Sequence, residues 1–214
     1  MKKTTFFIMF LIVLIDFSSA AQIFSDNFES GNLNAWNLSS LGTAANWTSS
    51  TTNPYDGTRH AESRPRYTTQ PASRMEKVIS TFGYENITFS YYRRLIGLDT
   101  GDEFQVEWFN GTTWSILEQT GSSSANDASY LYREFNLSSL ANDNLNFQIK
   151  FECTAGATSE YCRVDNVNLT GILIVSDNIN PAVFNLIPEQ NSNFNLSQII
   201  EISVNVTEDR KSVV

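Results

Sequence analysis

Apolar and polar residues alternate with a period of two along much of the chain. The clearest case is residues 145–153, where every odd position is apolar and every even position is polar. Residues 87–92 and 104–108 follow a similar pattern. This period is typical of half-buried β-strands, and no segment combines helical spacing with convincing caps. The pattern predicts an all-β protein in which about eight to ten antiparallel strands, between Ile23 and Leu169, form a jelly-roll β-sandwich.

The residues around Asn110-Gly111 predict a β-hairpin and its register. A two-residue turn would pair apolar residues with polar ones. A three-residue loop, with Gly111 in a left-handed conformation, pairs Trp108 with Trp114 and Val106 with Ile116. Register is specified where one face of a strand is buried, because a slip of one residue turns every side chain over. We therefore expect the three-residue loop, with both tryptophans in the core.

The first twenty residues have the pattern of a secretory signal peptide. Lys2 and Lys3 precede an apolar run at residues 6–15, and residues 18–20 supply the small side chains of a cleavage site. The apolar run is shorter than the ~20 residues that a membrane-spanning helix needs. We expect residues 1–20 to be removed, leaving a secreted or cell-surface protein with no membrane span in the mature fragment.

The remaining chain divides into one long and one short segment. Residues 22–171 contain the strands of the predicted sandwich, and residues 172–180 are predicted to be a linker. Residues 181–208 have the pattern of two strands from a second β-sandwich, which needs about seven, so we expect this domain to be truncated. Residues 209–214 match the translation of a common sequencing-adapter tail, and we expect them to be an artefact.

Composition excludes several classes of function. The chain is acidic, with a formal net charge of −9, and a nucleic-acid surface needs clustered Lys and Arg. His60 is the only histidine, and without a serine elbow motif it gives no credible catalytic triad. The sequence has no phosphate-binding loop and no dinucleotide fingerprint.

Two further features fit an extracellular protein. Cys153 and Cys162 are the only cysteines, and an oxidising compartment favours a disulfide between them, which we expect to act as a structural staple closing a hairpin. Asn-x-Ser/Thr sequons are in mild excess and are possible sites of N-glycosylation. Their asparagines are Asn37, Asn46, Asn86, Asn110, Asn136, Asn168, Asn195 and Asn205.

A series of short motifs resembles a known family. The motifs are residues 24–31 followed by Trp36, the loop 53–57, the strands 87–93 and 101–108, and the closing residues 164–167. In order and spacing they resemble MAM-like and carbohydrate-binding jelly-roll (concanavalin A-like) domains across residues 22–171. Residues 180–206 resemble the first strands of Ig-like or fibronectin-type repeats of large surface proteins.

The resemblance implies a structural calcium ion where the first and last strands meet. The matching acids are Glu29 and Asp165, with Asp56 in the loop as a further candidate. Carboxylate oxygens, completed by backbone carbonyls, are the hard ligands that Ca²⁺ prefers. The alternative is that Glu29 is a solvated turn residue and Asp165 caps a loop amide.

Aromatic residues near predicted loops are the candidates for ligand binding. Tyr92 and Arg94 point away from the apolar face of their strand, and Tyr130 and Tyr132 lie near a predicted loop. A tyrosine ring can stack on a sugar ring, and tyrosine is well suited to half-buried positions because its ring is apolar and its hydroxyl is polar. We therefore expect a non-catalytic binding or adhesion module of a larger surface or secreted protein, with an extracellular glycan or a surface protein as its partner.

A pair of glutamates supports an alternative function. Glu103 and Glu107 lie four residues apart on one strand face, which is similar to the catalytic Glu-x-Asp-x-Glu strand of laminarinase-type jelly-roll glycosidases. Those enzymes place two carboxylates beside one glycosidic bond. Here Gln105 replaces the central aspartate. The alternative is that the chain is an accessory domain of a secreted glycoside hydrolase, or is itself one.

Overall fold

The structure is a computed structural model that describes residues 19–40, 47–65, 72–120 and 125–174, and the backbone of two further strands. A first compact unit comprises residues 18–174, and the two further strands belong to a second unit. Residues 1–18 of the predicted signal peptide, the end of the predicted linker and residues 209–214 lie outside the described residues. Within the described ranges, the protein has no helix with the length and hydropathy that a membrane crossing requires.

The first unit is a sandwich of two antiparallel sheets, which confirms the all-β prediction. Its alternating segments form strands because one face of each strand is buried between the sheets. The described strands are β1 (Ala21–Asp26), β2 (Asn37–Ser40), β3 (Trp47–Ser50), β4 (His60–Ser63), β5 (Ser73–Val78), β6 (Tyr84–Ile96), β7 (Glu103–Phe109), β8 (Trp114–Thr120), β9 (Leu131–Asn136), β10 (Gln148–Thr154) and β11 (Tyr161–Leu173).

Sheet A and sheet B have different strand orders. Sheet A runs β3-β4-β11-β6-β9, and β1 also pairs with β11. The 13-residue strand β11 is long enough to take two neighbours along one edge: β4 pairs with its residues 162–164 and β1 with its residues 167–171. Sheet B runs β2-β5-β10-β7-β8. Sheet A therefore combines the first strand, the last strand and the long strand β6 of the sandwich.

The core is built around Phe151 of β10. This side chain is fully buried, and replacing a buried phenylalanine by alanine typically costs about 3–5 kcal/mol. Aromatic rings from both sheets and from the β1–β2 connection surround it at centroid distances between 5.1 and 6.4 Å; they belong to Trp36, Trp47, Phe89, Tyr91 and Phe104.

The β7–β8 hairpin has a different register from the predicted one. Phe109 lies opposite Trp114, and Trp108 lies opposite Ser115. The loop is therefore four residues long, and it is closed by a bond from the Asn110 backbone N–H to the Thr113 carbonyl at 3.1 Å. The prediction that Trp108 is core is confirmed.

The predicted pairs of Trp108 with Trp114 and of Val106 with Ile116 are wrong. Trp114 packs on Phe109 on the outer face of sheet B, with ring centroids 5.2 Å apart, and Ile116 is 52% exposed. The physical reason is the loop, which is one residue longer than predicted and sets the pairing of Trp108 with Ser115; a bulge in β8 after Ile116 then turns Glu118 toward the core. A buried carboxylate needs partners.

Glu118 has its partners on the opposite sheet. Its carboxylate accepts hydrogen bonds from the Tyr91 hydroxyl and from Arg93 Nε, the latter at 2.8 Å, and both residues are on β6. Arg133 Nε of β9 lies 3.2 Å from the same carboxylate. This cross-sheet ion network, which the alternation pattern gave no sign of, stabilises the buried Glu118 carboxylate.

The predicted disulfide between Cys153 and Cys162 is confirmed, and its Cα atoms lie 6.1 Å apart. The expectation that it closes a hairpin is wrong. Cys153 is on β10, which pairs with β5 and β7 in sheet B, whereas Cys162 is on β11 in sheet A. The two strands follow each other in sequence but pair in different sheets, so the disulfide joins the sheets.

In the second unit, the structure describes one antiparallel pair of strands, β12 (Val183–Ile187) and β13 (Ser203–Val206). Both fall within residues 181–208, where two strands were predicted. Their assignment to an Ig-like or fibronectin-type repeat stays a prediction.

Candidate functional site

The outer face of sheet A carries tyrosines from adjacent strands. Along β6, Phe89 and Tyr91 point into the core, so Tyr92 points outward, as predicted. Tyr132 of β9 lies directly opposite Tyr92, and the two ring centroids are 5.1 Å apart. Tyr132 is 49% exposed, so one ring of this pair is open to solvent.

Two loop tyrosines complete the cluster. Tyr55 stacks on Tyr92, with centroids 3.5 Å apart and planes 14° from parallel, and it is 43% exposed. Tyr130 packs edge-on against Tyr55 at 5.8 Å, and its hydroxyl donates to the Asn53 carbonyl. Burial raises the pKa of Tyr130, so this hydroxyl stays a donor. We refer to Tyr55, Tyr92, Tyr130 and Tyr132 as the tyrosine cluster.

The structure brings together the residues predicted to bind a ligand. Tyr92, Tyr130 and Tyr132 belong to the tyrosine cluster, and Arg94 lies two residues after Tyr92 on the same face of β6. Tyr55 was not among the predicted ligand-binding residues. Its loop, residues 53–57, had been identified as a motif, but nothing in the sequence placed that loop over β6.

Asp165 of β11 holds the Tyr55 loop in place. It is fully buried and lies opposite Tyr92 in the sheet. Its Oδ2 atom accepts hydrogen bonds from the backbone N–H groups of Tyr55, at 2.9 Å, and Asp56, at 3.3 Å. Its Oδ1 atom accepts the Asn166 N–H at 2.8 Å. Burial raises the pKa of Asp165, although these bonds oppose the effect.

A buried ionic group lies beside Asp165 on the same face. Arg163 of β11 donates from Nε to Glu62 Oε2 of β4 at 2.7 Å. The fully buried His60 has its Nε2 atom 3.5 Å from the same carboxylate oxygen. Burial raises the pKa of Glu62, but interactions with His60 and Arg163 outweigh it, so the pKa lies below its usual value. The tyrosine cluster therefore rests on a sheet whose polar side chains are fixed by ion pairs.

The predicted calcium ligands have other partners. Glu29 accepts bonds from the Thr58 backbone N–H and hydroxyl, at 2.8 and 2.6 Å, and from the Arg59 N–H, at 2.7 Å. The Thr58 hydroxyl and these N–H bonds lower the pKa of Glu29. Asp56 Oδ1 accepts the Gly57 N–H at 2.9 Å. With Asp165, all three acids accept bonds from loop N–H groups.

This arrangement does not fit a calcium site formed by Glu29, Asp56 and Asp165. A Ca²⁺ ion needs several oxygen atoms that converge on it. Among the described residues, these three acids are not a group with carboxylate oxygens within 4.8 Å of one another. The observed bonds are those of the alternative to the calcium site, in which Asp165 accepts bonds from loop amides. Glu29 accepts bonds from the amides of residues 58 and 59 in the same way.

A different group of acids does converge. Carboxylate oxygens of Asp99, Asp102 and Glu160 lie within 4.8 Å of one another, and Asp102 and Glu160 are buried. Burial raises the pKa of Glu160, and the charge of Asp102 adds to the shift. Asp102 Oδ2 also accepts the Asp99 N–H at 2.9 Å. Oxygen ligands of this kind can hold a hard cation. The sequence gave no signal for this group, because its members come from two loops far apart in the chain.

The two glutamates of the hydrolase alternative lie on the outer face of sheet B. Glu107 forms an ion pair with Lys150 of β10, and Glu103 accepts a hydrogen bond from Gln119 of β8. Lys150 also lies over the Trp114 ring, with Nζ 4.4 Å from its centroid. Each carboxylate therefore has a partner on a neighbouring strand.

The described sequon asparagines are distributed over several elements. Asn136 and Asn168 face outward on sheet A, where they lie opposite Thr88 and Ser90 of β6. Asn37 is on the edge strand β2, Asn86 is exposed, and Asn110 begins the β7–β8 loop. Asn46 and Asn195 lie outside the described residues, and only the backbone of Asn205 is described. Glycosylation stays a prediction at every one of them.

No protein-family model matches the chain, and no curated protein matches it. Solved structures do. The K3 cleaved adhesin domain of Lys-gingipain from Porphyromonas gingivalis matches with a TM-score of 0.53 at 13% identity, covering 71% of this chain and 99% of that domain. Carbohydrate-binding modules of promiscuous specificity from the β-sandwich superfamily match with a TM-score of 0.51 at 14% identity, covering 67% of this chain and 60% of that chain. TmCBM61, in complex with β-1,4-galactotriose, matches with a TM-score of 0.50 at 9% identity, covering 67% of this chain and 92% of that chain. At these identities, the likenesses show a shared β-sandwich fold.

Proposed function

We propose that the sandwich is a non-catalytic carbohydrate-binding module that binds its glycan on the outer face of sheet A. The observation that carries this proposal is the tyrosine cluster, in which Tyr55 and Tyr132 expose ring surface on either side of Tyr92. The proposal includes residues 1–20 as a signal peptide and a secreted or cell-surface location, as part of a larger protein.

The tyrosine cluster has the properties that sugar recognition requires. A sugar ring has an apolar C–H face that stacks on an aromatic ring, and a tyrosine also offers a polar hydroxyl. Tyr132 lies on β9 and the backbone of Tyr55 is bound to Asp165 of β11, the two strands that flank β6, so the two tyrosines lie on two sides of Tyr92. A glycan of more than one sugar could therefore contact both exposed rings.

Polar groups at hydrogen-bonding positions surround the rings. Ser90 and Asn168 face outward beside Tyr92, and Arg94 lies on its other side. Tyr132 donates its hydroxyl to Glu134 at 2.5 Å, which orients the ring. A few placed polar groups around an apolar contact are typical of ligand sites. Because ion pairs and backbone bonds already fix the face, ligand binding needs little further ordering.

Two lines of support favour binding over catalysis. The β-sandwich is a fold of solved carbohydrate-binding modules, among them one in complex with a galactotriose. Glu103 and Glu107, the residues of the hydrolase alternative, have partners on sheet B and lie on the face opposite the tyrosine cluster. No observation on the described residues favours the hydrolase.

The test is a glycan array followed by calorimetry on the full chain. We expect the wild type to bind an oligosaccharide and Tyr132→Ala to weaken that binding at least tenfold, about 1.4 kcal/mol, because the variant removes an exposed stacking ring. Tyr132→Phe keeps the ring and should stay within about threefold, less than 0.7 kcal/mol. Ile116→Ala is the matched control, since Ile116 is about equally exposed on sheet B.

Two results would contradict the proposal. One is that the folded wild type binds no glycan of the array. The other is that Tyr132→Ala and Ile116→Ala bind as well as the wild type, which would locate any binding elsewhere.

A further inference from the structure

Arg94 is a positive charge at the edge of the tyrosine cluster. It is half-buried on the outward face of β6, two residues from Tyr92. Across the sheet it lies opposite Arg163, whose own charge is paired with Glu62 at 2.7 Å. The charge of Arg94 also acts on the Tyr130 hydroxyl. Arg94 therefore lies close to two residues of the tyrosine cluster, Tyr92 and Tyr130.

Arg94, like Arg59 and Arg64, has no carboxylate partner among the described residues, whereas four other arginines of the sandwich have one. Ion pairs with carboxylates are formed by Arg74, Arg93, Arg133 and Arg163. Among the described residues, no carboxylate forms an ion pair with Arg94. Its Nε atom donates to the backbone carbonyl of Asp127 at 3.3 Å, and this is the hydrogen bond that it makes within the described ranges. The two terminal nitrogens therefore keep their donors for a ligand.

The nearby acids are already engaged. The Asp127 carboxylate accepts bonds from Arg93 and from the Leu95 N–H. Asp165 is buried under the Tyr55 loop with backbone partners, and Glu134 accepts the Tyr132 hydroxyl. The chain as a whole has a net charge of −9. Arg94 therefore places an unpaired positive charge beside exposed aromatic rings on a molecule that is negatively charged as a whole.

We infer that the binding face selects glycans that carry carboxylate groups, as uronic acids do, and that Arg94 determines this specificity. The inference rests on the proposed function. A guanidinium presents a planar pair of N–H donors that matches a carboxylate in a two-bond arrangement. In this arrangement the tyrosine cluster stacks on the sugar rings, and Arg94 binds the carboxylate of one of them.

A site of this kind discriminates strongly between acidic and neutral sugars. A neutral sugar leaves the guanidinium without its charged partner, and sites built around a polar contact reject ligands that lack it. Because the contact is ionic and only half-buried, added salt should weaken the binding of acidic glycans more than that of neutral ones.

The experiment compares matched ligands on the full chain. The probes are oligogalacturonides, oligoglucuronides and oligomannuronates, each paired with its carboxyl-reduced neutral form. We expect the wild type to bind the acidic member of at least one pair tenfold or more tightly than its neutral form, about 1.4 kcal/mol. Arg94→Gln should reduce that ratio to about one.

The control variant is Arg74→Gln. It removes the same charge from a residue of sheet B that lies 31% exposed in an ion pair with Glu152. We expect it to keep the acidic-to-neutral ratio of the wild type. Circular dichroism establishes that both variants are folded before their affinities are compared.

The outcomes separate the two proposals. If neutral glycans bind as tightly as acidic ones, or if Arg94→Gln keeps the ratio, the inference about carboxylates is overturned while the binding function stands. If neither the acidic nor the neutral members of any pair bind, and the glycan array is also negative, the proposed function fails as well.

Discussion

At the scale of single residues, Asp165 holds one loop of the proposed binding face. One buried carboxylate accepts three backbone N–H groups, and two of them belong to the loop that carries Tyr55. A buried charge without such bonds would be strongly unfavourable. The bonds therefore stabilise the acid, and the acid holds the loop over β6.

We expect Asp165→Ala to lower the free energy of unfolding by about 3 kcal/mol, because it leaves three partly buried N–H donors without their acceptor. Denaturant unfolding measures the change, with Asp56→Ala as the control, since Asp56 is exposed and bonds one neighbouring N–H. Any effect of millimolar Ca²⁺ or EGTA on the melting temperature should be the same in Asp165→Ala as in the wild type. A rise with Ca²⁺ that Asp165→Ala abolishes would instead support the calcium site.

Residues within strands could be predicted from the sequence, and loop residues could not. The outward direction of Tyr92 and Arg94 follows from the alternation along β6. The place of Tyr55 depends on Asp165, which is 110 residues away in the chain. Contacts of that range leave no periodic signal, so the sequence placed these acids near one loop but could not show that they accept its N–H bonds.

At the scale of elements, β11 organises sheet A and Glu62 joins β4 to it. The Glu62–Arg163 pair crosses between the two strands, and both side chains are largely buried. Breaking a buried ion pair by removing one partner leaves an uncompensated charge, which is more costly than the pair itself is stabilising.

We expect Glu62→Gln to lower the free energy of unfolding at pH 7 by about 3 kcal/mol. The pKa of Glu62 is lowered in the folded protein, so its contribution is complete above the usual glutamate pKa and is lost as the pH falls through the folded value. Urea unfolding at pH 7 and at pH 3 should show the difference from wild type shrinking at low pH. Glu85→Gln on β6 is the control; a difference that is equal at both pH values would contradict the argument.

The hairpin shows what element-level patterns miss. Alternation predicted strands β7 and β8, a positive φ at Gly111 and a buried Trp108, and the structure has all of these. The register failed because the loop has four residues instead of three, so Trp114 and Ile116 lie on the outer face, and a bulge after Ile116 then turns Glu118 to the core. Its partners on β6 make it a core residue, and only the packing of the two sheets creates them.

At the scale of the whole molecule, the disulfide is a covalent link between the sheets. Cys153 lies near the end of β10 in sheet B, and Cys162 lies near the start of β11 in sheet A, nine residues later in the sequence. The cysteine count predicted the bond itself. Which sheets it joins depends on the strand order, and spacing alone carried no information about that order.

We expect replacement of both cysteines by alanine to lower the free energy of unfolding by at least about 2.5 kcal/mol, as the chain-entropy model gives for so short a loop. Denaturant unfolding of the oxidised protein, the reduced protein and the double variant measures the change. The reduced protein should lose about this much stability and the double variant somewhat more, because alanine also removes two buried sulfur atoms. Equal stability of all three forms would contradict a structural role for the disulfide.

The composition of the binding face has a consequence for spectroscopy. Trp36, Trp47 and Trp108 are buried in the core, and Trp114 lies on sheet B beside Phe109. The tyrosine cluster therefore contains none of the four tryptophans of the chain. Tryptophan emission should stay constant while a glycan binds, and a titration that monitors it would miss even a tight ligand. The closely packed tyrosines should instead report binding through their near-ultraviolet circular dichroism.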